Sequence, residues 1–490
     1  MDRRPDELLI EVWTLEPLEG EPETRIEVAT GDLRTNLFRG VFSHPHAFGG
    51  QFTLALDRAD TRGPGFENGG SLSGVAARWA RPIGPGGLIA SLRRFTPETD
   101  AQGFPTSLTR SDWSLQARWP LGSSLLLEGA YGRQSVEADP DDPAFGHVRP
   151  GRAAAHLRVG WDAPGAWLRS ALRWSEGEGL PSTVFEARGG FGRPGLFDAD
   201  AGFTHERWDG RGASRGYARA VAGPFHGVSL FATLARGRRG VPFVPAHEDA
   251  ARVRDSLNAL ADSLRALPGG DTLVTQIDTI PVLPSVDLTD RTSFRIGAAF
   301  AWRGVEVAGA LVRIDPDTLH PVGLLLDPDG LVLPGAVRTG WEASVRLPLP
   351  IGFGFEGVYR SWDGDLPYLP ERTWDAAFTY HGIFKESGNL EVWGRLGVTG
   401  HDPLLLPIPD PEAEVEPPPG GGDPSGESVI PPLERVPFYQ DWFAFIEARI
   451  VTVRVFVRFE NFVAKPNRDF PGRDLVRTRT LYGIRWTLRN

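Results

Sequence analysis

Three observations predict an all-β chain. It is expected to form a closed antiparallel up-and-down transmembrane β-barrel of about 22 strands, in a range of roughly 18–22, with long outer loops and short periplasmic turns. Hydrophobicity alternates with period two along almost the whole chain, connectors alternate between short and long, and tryptophans cluster at the ends of the alternating runs. Composition points the same way. The 59 Gly and 43 Pro among 490 residues are too many chain breakers for a helical protein. The 41% hydrophobic and 10% aromatic content is too apolar for a disordered chain. Mean hydropathy is −0.23, and no apolar run is long enough for a membrane-spanning helix. A barrel is compatible with that, because each strand shows lipid only at every second residue.

The alternation is clearest in three runs. In 112–119, Trp113, Leu115, Ala117 and Trp119 oppose Asp112, Ser114, Gln116 and Arg118. In 336–347, Val337, Trp341, Ala343, Val345 and Leu347 oppose Arg338, Gly340, Glu342, Ser344 and Arg346. Near the end, Tyr482, Ile484, Trp486 and Leu488 oppose Gly483, Arg485, Thr487 and Arg489. Each reads as a strand with one apolar and one polar face.

By the same criterion strands are expected near 24–29, 33–43, 51–58, 71–80, 87–95, 111–119, 124–135, 152–161, 166–175, 183–190 and 200–208. They continue near 213–223, 227–236, 292–302, 304–313, 336–347, 351–362, 372–381, 388–398, 441–450, 452–461 and 477–489.

Short connectors are expected at Asp162–Gly165, Pro224–Gly227, Arg303–Gly304 and Pro348–Pro350, and long ones at 96–110, 136–151, 237–291, 314–335, 399–440 and 462–476. In the 237–291 loop, Val253, Leu257, Leu260, Leu264 and Leu267 have helical spacing and Pro268 ends the run, which predicts a short amphipathic helix. The stretch 402–436 is rich in Pro, Gly and acid and has no means of building a core. The chain therefore divides into an N-terminal segment, 1–23, and one barrel, 24–490.

If the short turns are periplasmic, Trp79, Trp119, Trp161, Trp302 and Trp486 lie at periplasmic strand ends, and Trp113, Trp174, Trp208, Trp362, Trp374 and Trp442 at outer ends. Two such belts suit the membrane interfaces, because an indole joins an apolar body to one N–H donor. Arg118, Arg158, Arg295, Arg338, Arg346, Arg454, Arg458 and Arg485 fall opposite the apolar set and are expected to line the lumen. On the lipid face each would cost about 2–4 kcal/mol at the midplane. An arginine-lined lumen would favour anionic or polar solutes.

Charge and chemistry exclude several classes. A net charge of −11 and a pI near 5.5 give no basis for binding nucleic acid. With no Cys there is no disulfide, thiol catalysis or thiolate metal site. Gly212-Ala-Ser-Arg-Gly216 fits a nucleophile-elbow pattern, but Ser214 opens a strand instead of a strand–turn–helix. Gly352–Gly357 fits a dinucleotide fingerprint with no following helix. His44 and His46 flank a proline and lack a third ligand, while Asp327–Gly330 and Asp363–Asp365 read first as turns, with calcium as the secondary reading. A lipid hydrolase would need Ser and His together on adjacent strands, and the ten His look scattered; His156, on a polar strand face, is the one to follow. No enzyme activity, cofactor or metal is expected.

The strand count, the meander and the N-terminal block together resemble the barrel of TonB-dependent outer-membrane receptors. The block is Leu8-Leu-Ile-Glu-Val-Trp-Thr14, then Thr24-Arg-Ile-Glu-Val-Ala-Thr-Gly-Asp32, then Leu37-Phe-Arg-Gly-Val-Phe42. It is similar to the family's passage from plug to barrel, and 1–23 would be a remnant of that junction. Leu481–Asn490 is similar to a closing strand, although Asn490 stands where an aromatic usually ends the chain. The resemblance implies a bacterial outer-membrane location and the binding or transport of a solute, not yet identified. It also implies outer-membrane lipid and the barrel assembly machinery as partners, and TonB through a plug domain. Plug, TonB box and signal peptide would all precede residue 1. The alternatives are a plugless porin-like passive channel, a surface adhesion or display barrel acting through 237–291 and 399–440, and a soluble all-β enzyme or lectin.

Overall fold

The computed structural model describes residues 2–3, 8–9, 20–62, 69–101, 104–138, 151–177, 179–208, 210–242, 286–319, 333–364, 367–385, 387–407, 433–470, 473–475 and 478–489. One closed sheet dominates. Its strands are β1 (Glu23–Gly31), β2 (Thr35–His44), β3 (Gln51–Arg62), β4 (Gly69–Ile83), β5 (Gly86–Ala101), β6 (Phe104–Leu121), β7 (Leu125–Ala138) and β8 (Gly151–Ala163). Then come β9 (Ala166–Glu176), β10 (Thr183–Arg193), β11 (Phe197–Trp208), β12 (Arg211–Phe225), β13 (Val228–Pro242), β14 (Val286–Trp302) and β15 (Val305–Pro316). The circuit ends with β16 (Arg338–Pro348), β17 (Phe353–Trp362), β18 (Arg372–Ile383), β19 (Leu390–His401), β20 (Tyr439–Ile450), β21 (Val453–Glu460) and β22 (Arg479–Arg489). Each pairs antiparallel with the next, and β22 pairs with β1, Glu23 opposite Arg489 through Gly31 opposite Leu481, which closes the barrel. All 22 expected strands are present, in the expected order.

The connections at one end are uniformly short: 45–50, 84–85, 122–124, 164–165, 194–196, 226–227, 303–304, 349–352, 384–389 and 451–452. The long connections, 243–285, 317–337, 402–438 and 461–478, all lie at the other end. Four of these short turns place two consecutive residues at positive φ: Phe48–Gly49, His226–Gly227, Arg303–Gly304 and Ile351–Gly352. That backbone matches the right-handed twist of the strands it joins. At Gly227 a Cβ would also lie 2.6 Å from the Ala301 carbonyl oxygen, so glycine is required there twice over.

One expected loop is not a loop. Residues 96–110 belong mostly to β5 and β6, which run on to Ala101 and back from Phe104. Pro97 is held in register opposite Leu72 of β4, and the paired positions with β6 are interrupted at 96–97. A residue without an N–H is tolerated where no ladder bond is asked of it. The expected helix around 253–267, the Asp327–Gly330 turn and the Pro417–Asp423 stretch lie outside the described residues.

The two faces of the sheet are distinguished by contacts that skip a strand, which only the concave face allows. Arg295 of β14 reaches Glu342 of β16, Arg395 of β19 reaches Glu356 of β17 at 2.9 Å, and Arg485 of β22 reaches Glu447 of β20 at 3.2 Å. The Arg/Glu face is therefore the lumen. Leu115, Leu157, Leu168, Leu230 and Ile296 stand on the other face, with Leu311 65% and Trp302 56% exposed. A continuous apolar exterior of this kind asks for an apolar environment. Among the described residues there is no central apolar core; the cluster of buried apolar residues they contain is Trp208, Ala213 and Val286, near the long-loop end.

Candidate functional site: the barrel lumen

The eight arginines picked out from the sequence all lie on lumen-facing positions, and the lumen holds carboxylates to match most of them. Arg118 and Arg158 share Glu128, each at 3.5 Å. Arg295 and Arg360 share Glu342, and the Arg295 guanidinium also covers Phe231 at 4.8 Å. Arg458 meets Glu460 at 2.7 Å, Arg338 donates to the Pro367 carbonyl at 3.2 Å, and Arg346 stands in register between Glu306 and Glu356. The expectation of a cationic lumen is corrected accordingly. Six of the eight pair with a carboxylate and so form part of a charge-matched wall, because a guanidinium facing inward needs a hydrogen-bonding partner that water does not fully supply between packed side chains.

The strongest cluster lies beside the closing seam. Glu447, only 5% exposed, accepts from Arg454 at 2.6 Å and from Arg485 at 3.2 Å. Arg485 also donates to Glu27 at 2.9 Å across the β22–β1 junction. Arg454 stacks over Trp393 at 4.8 Å, and the other side of the network continues through His381, stacked on Trp393 at 5.4 Å and bonded to Glu391 at 2.7 Å. Arg449 completes it at 2.5 Å from Glu391. First and last strands are thus joined by side-chain charge as well as by the backbone ladder.

A second grouping encloses a cleft of about 100 Å³ lined by His156, Arg158, Arg169, Ser170, Glu186 and Arg188. His156 stands opposite Arg173 on β9 and Ala130 on β7. Among its lining residues three arginines stand beside one carboxylate, Glu186, while Arg158 also pairs with Glu128 and Arg169 with Asp162 at 3.0 Å.

Nine of the ten strand-end tryptophans chosen as interface residues have the exterior parity: Trp79, Trp113, Trp119, Trp161, Trp174, Trp302, Trp374, Trp442 and Trp486. Trp113 packs on Tyr131 at 5.2 Å and Trp374 on Phe438 at 5.4 Å. Trp362 departs from them. It pairs with Gly340 on the lumen side, where a Cβ at Gly340 would meet its ring at 2.9 Å. Trp208 departs too, 6% exposed with its indole N–H donated to Glu206 at 3.0 Å. Both close the strand on the inward parity, which position near a strand end had obscured.

Sequence reasoning missed two things. The acidic partners Glu27, Glu128, Glu342, Glu391 and Glu447 were legible as inward positions, but only the barrel's register shows which arginine each meets. The second is a cross-strand pair: His205 Nδ1 lies 2.8 Å from Ser214 Oγ, directly opposite it on β11 and β12. Counting outward from the 209–210 turn would have found it. Among the described residues no carboxylate or amide orients the His205 ring, so the pair lacks the third member that a serine nucleophile needs. The described residues also contain no group of three or more metal-ligating side chains, and His44 serves the turn by accepting from the His46 N–H at 3.0 Å.

The class these features define is the outer-membrane-type β-barrel of 22 strands, and solved structures of that class resemble this chain closely in fold. The siderophore receptor PirA from Acinetobacter baumannii matches with a TM-score of 0.64 at 11% identity, covering 96% of this chain and 81% of its own. A mutant of the ferric enterobactin receptor PfeA from Pseudomonas aeruginosa matches with 0.64 at 12%, with the same coverage. The FrpB iron transporter from Neisseria meningitidis matches with 0.61 at 11%, covering 96% and 82%. At these identities the likeness is one of fold. No protein-family model matches the sequence, and no curated protein matches it.

Proposed function

We propose that the chain is the barrel of a bacterial outer-membrane receptor of the TonB-dependent type, which binds a solute at the cell surface and passes it across the outer membrane. The observation that carries this is the closed 22-strand sheet with an apolar exterior and a charge-matched lumen, shared along nearly its whole length with siderophore and iron receptors. A 22-stranded barrel is wide enough to need a plug. A wall of alternating Arg and Glu gives a plug polar contacts throughout, and TonB would act through that plug. Residues 1–23 would form the junction, leading into the first barrel strand. The long connections at 243–285 and 402–438 face the outside, where a solute arrives, and Trp79, Trp119, Trp161, Trp302 and Trp486 mark the periplasmic interface. The solute class carried by the relatives' names, a ferric siderophore, is the first to test. Its negative groups suit the cleft around His156, Arg158, Arg169 and Arg188.

The test is binding and uptake together. A strain carrying the protein in its native operon should accumulate the iron of an added ferric siderophore only with TonB intact. Uptake that persists without TonB would instead favour the passive channel.

A further inference from the structure

We propose that residues 461–467 form a side gate in the barrel wall, latched by the Asn467 amide, whose release opens a lateral passage for an amphiphile between the outer end of the lumen and the exterior. The inference rests on the membrane reading above and adds a second route to it.

The wall has a notch at this place. At eight residues β21 is the shortest strand of the barrel. Strand β20 pairs with β19 along its whole length, from Tyr439 to Ile450, but with β21 only from Ala444 inwards. Strand β22 starts no higher, with Arg479 opposite Glu460. Tyr439–Phe443, about 16 Å of strand, therefore have a strand on one side only. An edge of that kind presents unpaired backbone groups.

The segment 461–467 covers that edge mainly with side chains. Gln440 donates its N–H to Asn467 Oδ1 at 3.3 Å, and Asn467 Nδ2 donates back to the Gln440 carbonyl at 2.8 Å. One amide thus makes both bonds that a residue of a neighbouring strand would make. Lys465 Nζ donates to Gln440 Oε1 at 2.5 Å, Phe462 N–H to the Trp442 carbonyl at 3.1 Å, and Asn461 N–H to Asp441 at 2.6 Å.

The closed position has its own costs. Asn461 and Ala464 are held at positive φ, and Asn461 Oδ1 is buried without a hydrogen-bond partner. Phe462 and Val463 stay exposed, so little apolar burial holds the segment down. A cover fixed by a few side-chain bonds opens far more readily than a paired strand.

The notch has two unlike sides. Towards the lumen stand Asp441 and Glu460, the latter bridged by Arg458 and Arg479 at 2.7 Å each. Towards the exterior stand Trp442 and Phe438, the latter against Trp374. A polar head and an apolar tail can each find a matching side there.

The test uses the full chain in liposomes containing spin-labelled phosphatidylcholine. A fluorophore is placed on a single cysteine replacing Thr399, on the lumen face opposite Asp441. Cysteines replacing Ser114 and Leu115 serve as distant lumen and exterior controls. Quenching at 399 should exceed that at 114 in the native background, rise several-fold with Asn467→Ala, and fall to the level at 114 with Ala464→Gly, which relieves the positive φ. Hydrogen exchange of the Gln440 and Phe462 amides should be about tenfold faster in Asn467→Ala, with Ile446 and Ala448 unchanged. An unchanged rate at Phe462 would show that Asn467 is not the latch. Faster exchange with no added quenching at 399 would show that the segment loosens without parting the wall. Either result overturns the proposal. Absence of quenching at 115 would instead refute the membrane reading, and the gate with it.

Discussion

Glu447 is the most buried of the carboxylates that take two arginines, and its substitution gives the sharpest single-residue prediction. Glu447→Gln leaves Arg454 and Arg485 each short of a carboxylate, while Arg485 keeps Glu27. The loss should be about 2–3 kcal/mol, at the lower side of buried-pair values because both guanidinia remain partly wet. A urea titration of the folded barrel in detergent would measure it. Arg25→Ala, which breaks an exposed pair with Glu23, should shift the same titration by less than about 0.5 kcal/mol.

A second residue-scale prediction concerns pH. Beyond the end of β15, burial tends to raise the Asp317 carboxyl, but hydrogen bonds from the Thr289 hydroxyl, the Asp290 N–H and Thr318 outweigh it and hold it below its ordinary 3.8. A carboxylate depressed on folding contributes stability that is fully present above its unfolded pKa and lost as pH falls through the folded value. Hydrogen-exchange protection of the Asp290 amide should therefore be flat from pH 8 to 5 and fall only below about 4. Loss near pH 6 would show that Asp317 does not hold that amide.

At the scale of elements, the strands were legible and their ends were not. Period-two patterning located β1 to β22 because each strand must present one apolar and one polar face, and no other structure imposes that period over so many runs. The same parity turns Trp208 and Trp362 inward, although both stand near strand ends. Strand β5 runs past Pro97, which the alternation alone does not reveal, because a sequence does not show on which side of a strand the ladder is interrupted. The ion pairs were half legible. The arginines could be assigned to a face, but Arg485 meets Glu27 and Glu447 only because the sheet closes on itself, bringing together positions far apart in the chain.

Turns make their own prediction at this scale. Gly227→Val forces a β-branched residue to positive φ and into the Ala301 carbonyl. It should cost about 2–3 kcal/mol and slow the formation of the β12–β13 hairpin, seen as a lower yield of heat-modifiable barrel on refolding.

As a whole molecule the protein is a sheet closed with most of its arginines and glutamates inside and its large apolar side chains outside, towards lipid. A protein of this design should be extracted only by detergent and should migrate differently before and after boiling. The apolar exterior that exposes Leu311 and Trp302 makes solubility without detergent incompatible with the account.

The chain contains no cysteine, which makes the orientation of each face directly measurable. Single cysteines placed along β6 at Ser114, Leu115, Gln116 and Ala117 sample both faces in turn. In liposomes, a membrane-impermeant maleimide should label the cysteines replacing Ser114 and Gln116. Those replacing Leu115 and Ala117 should be refractory to it and, when carrying a fluorophore, be quenched by lipid-borne spin labels. Labelling with the opposite parity, or of all four alike, would contradict the account.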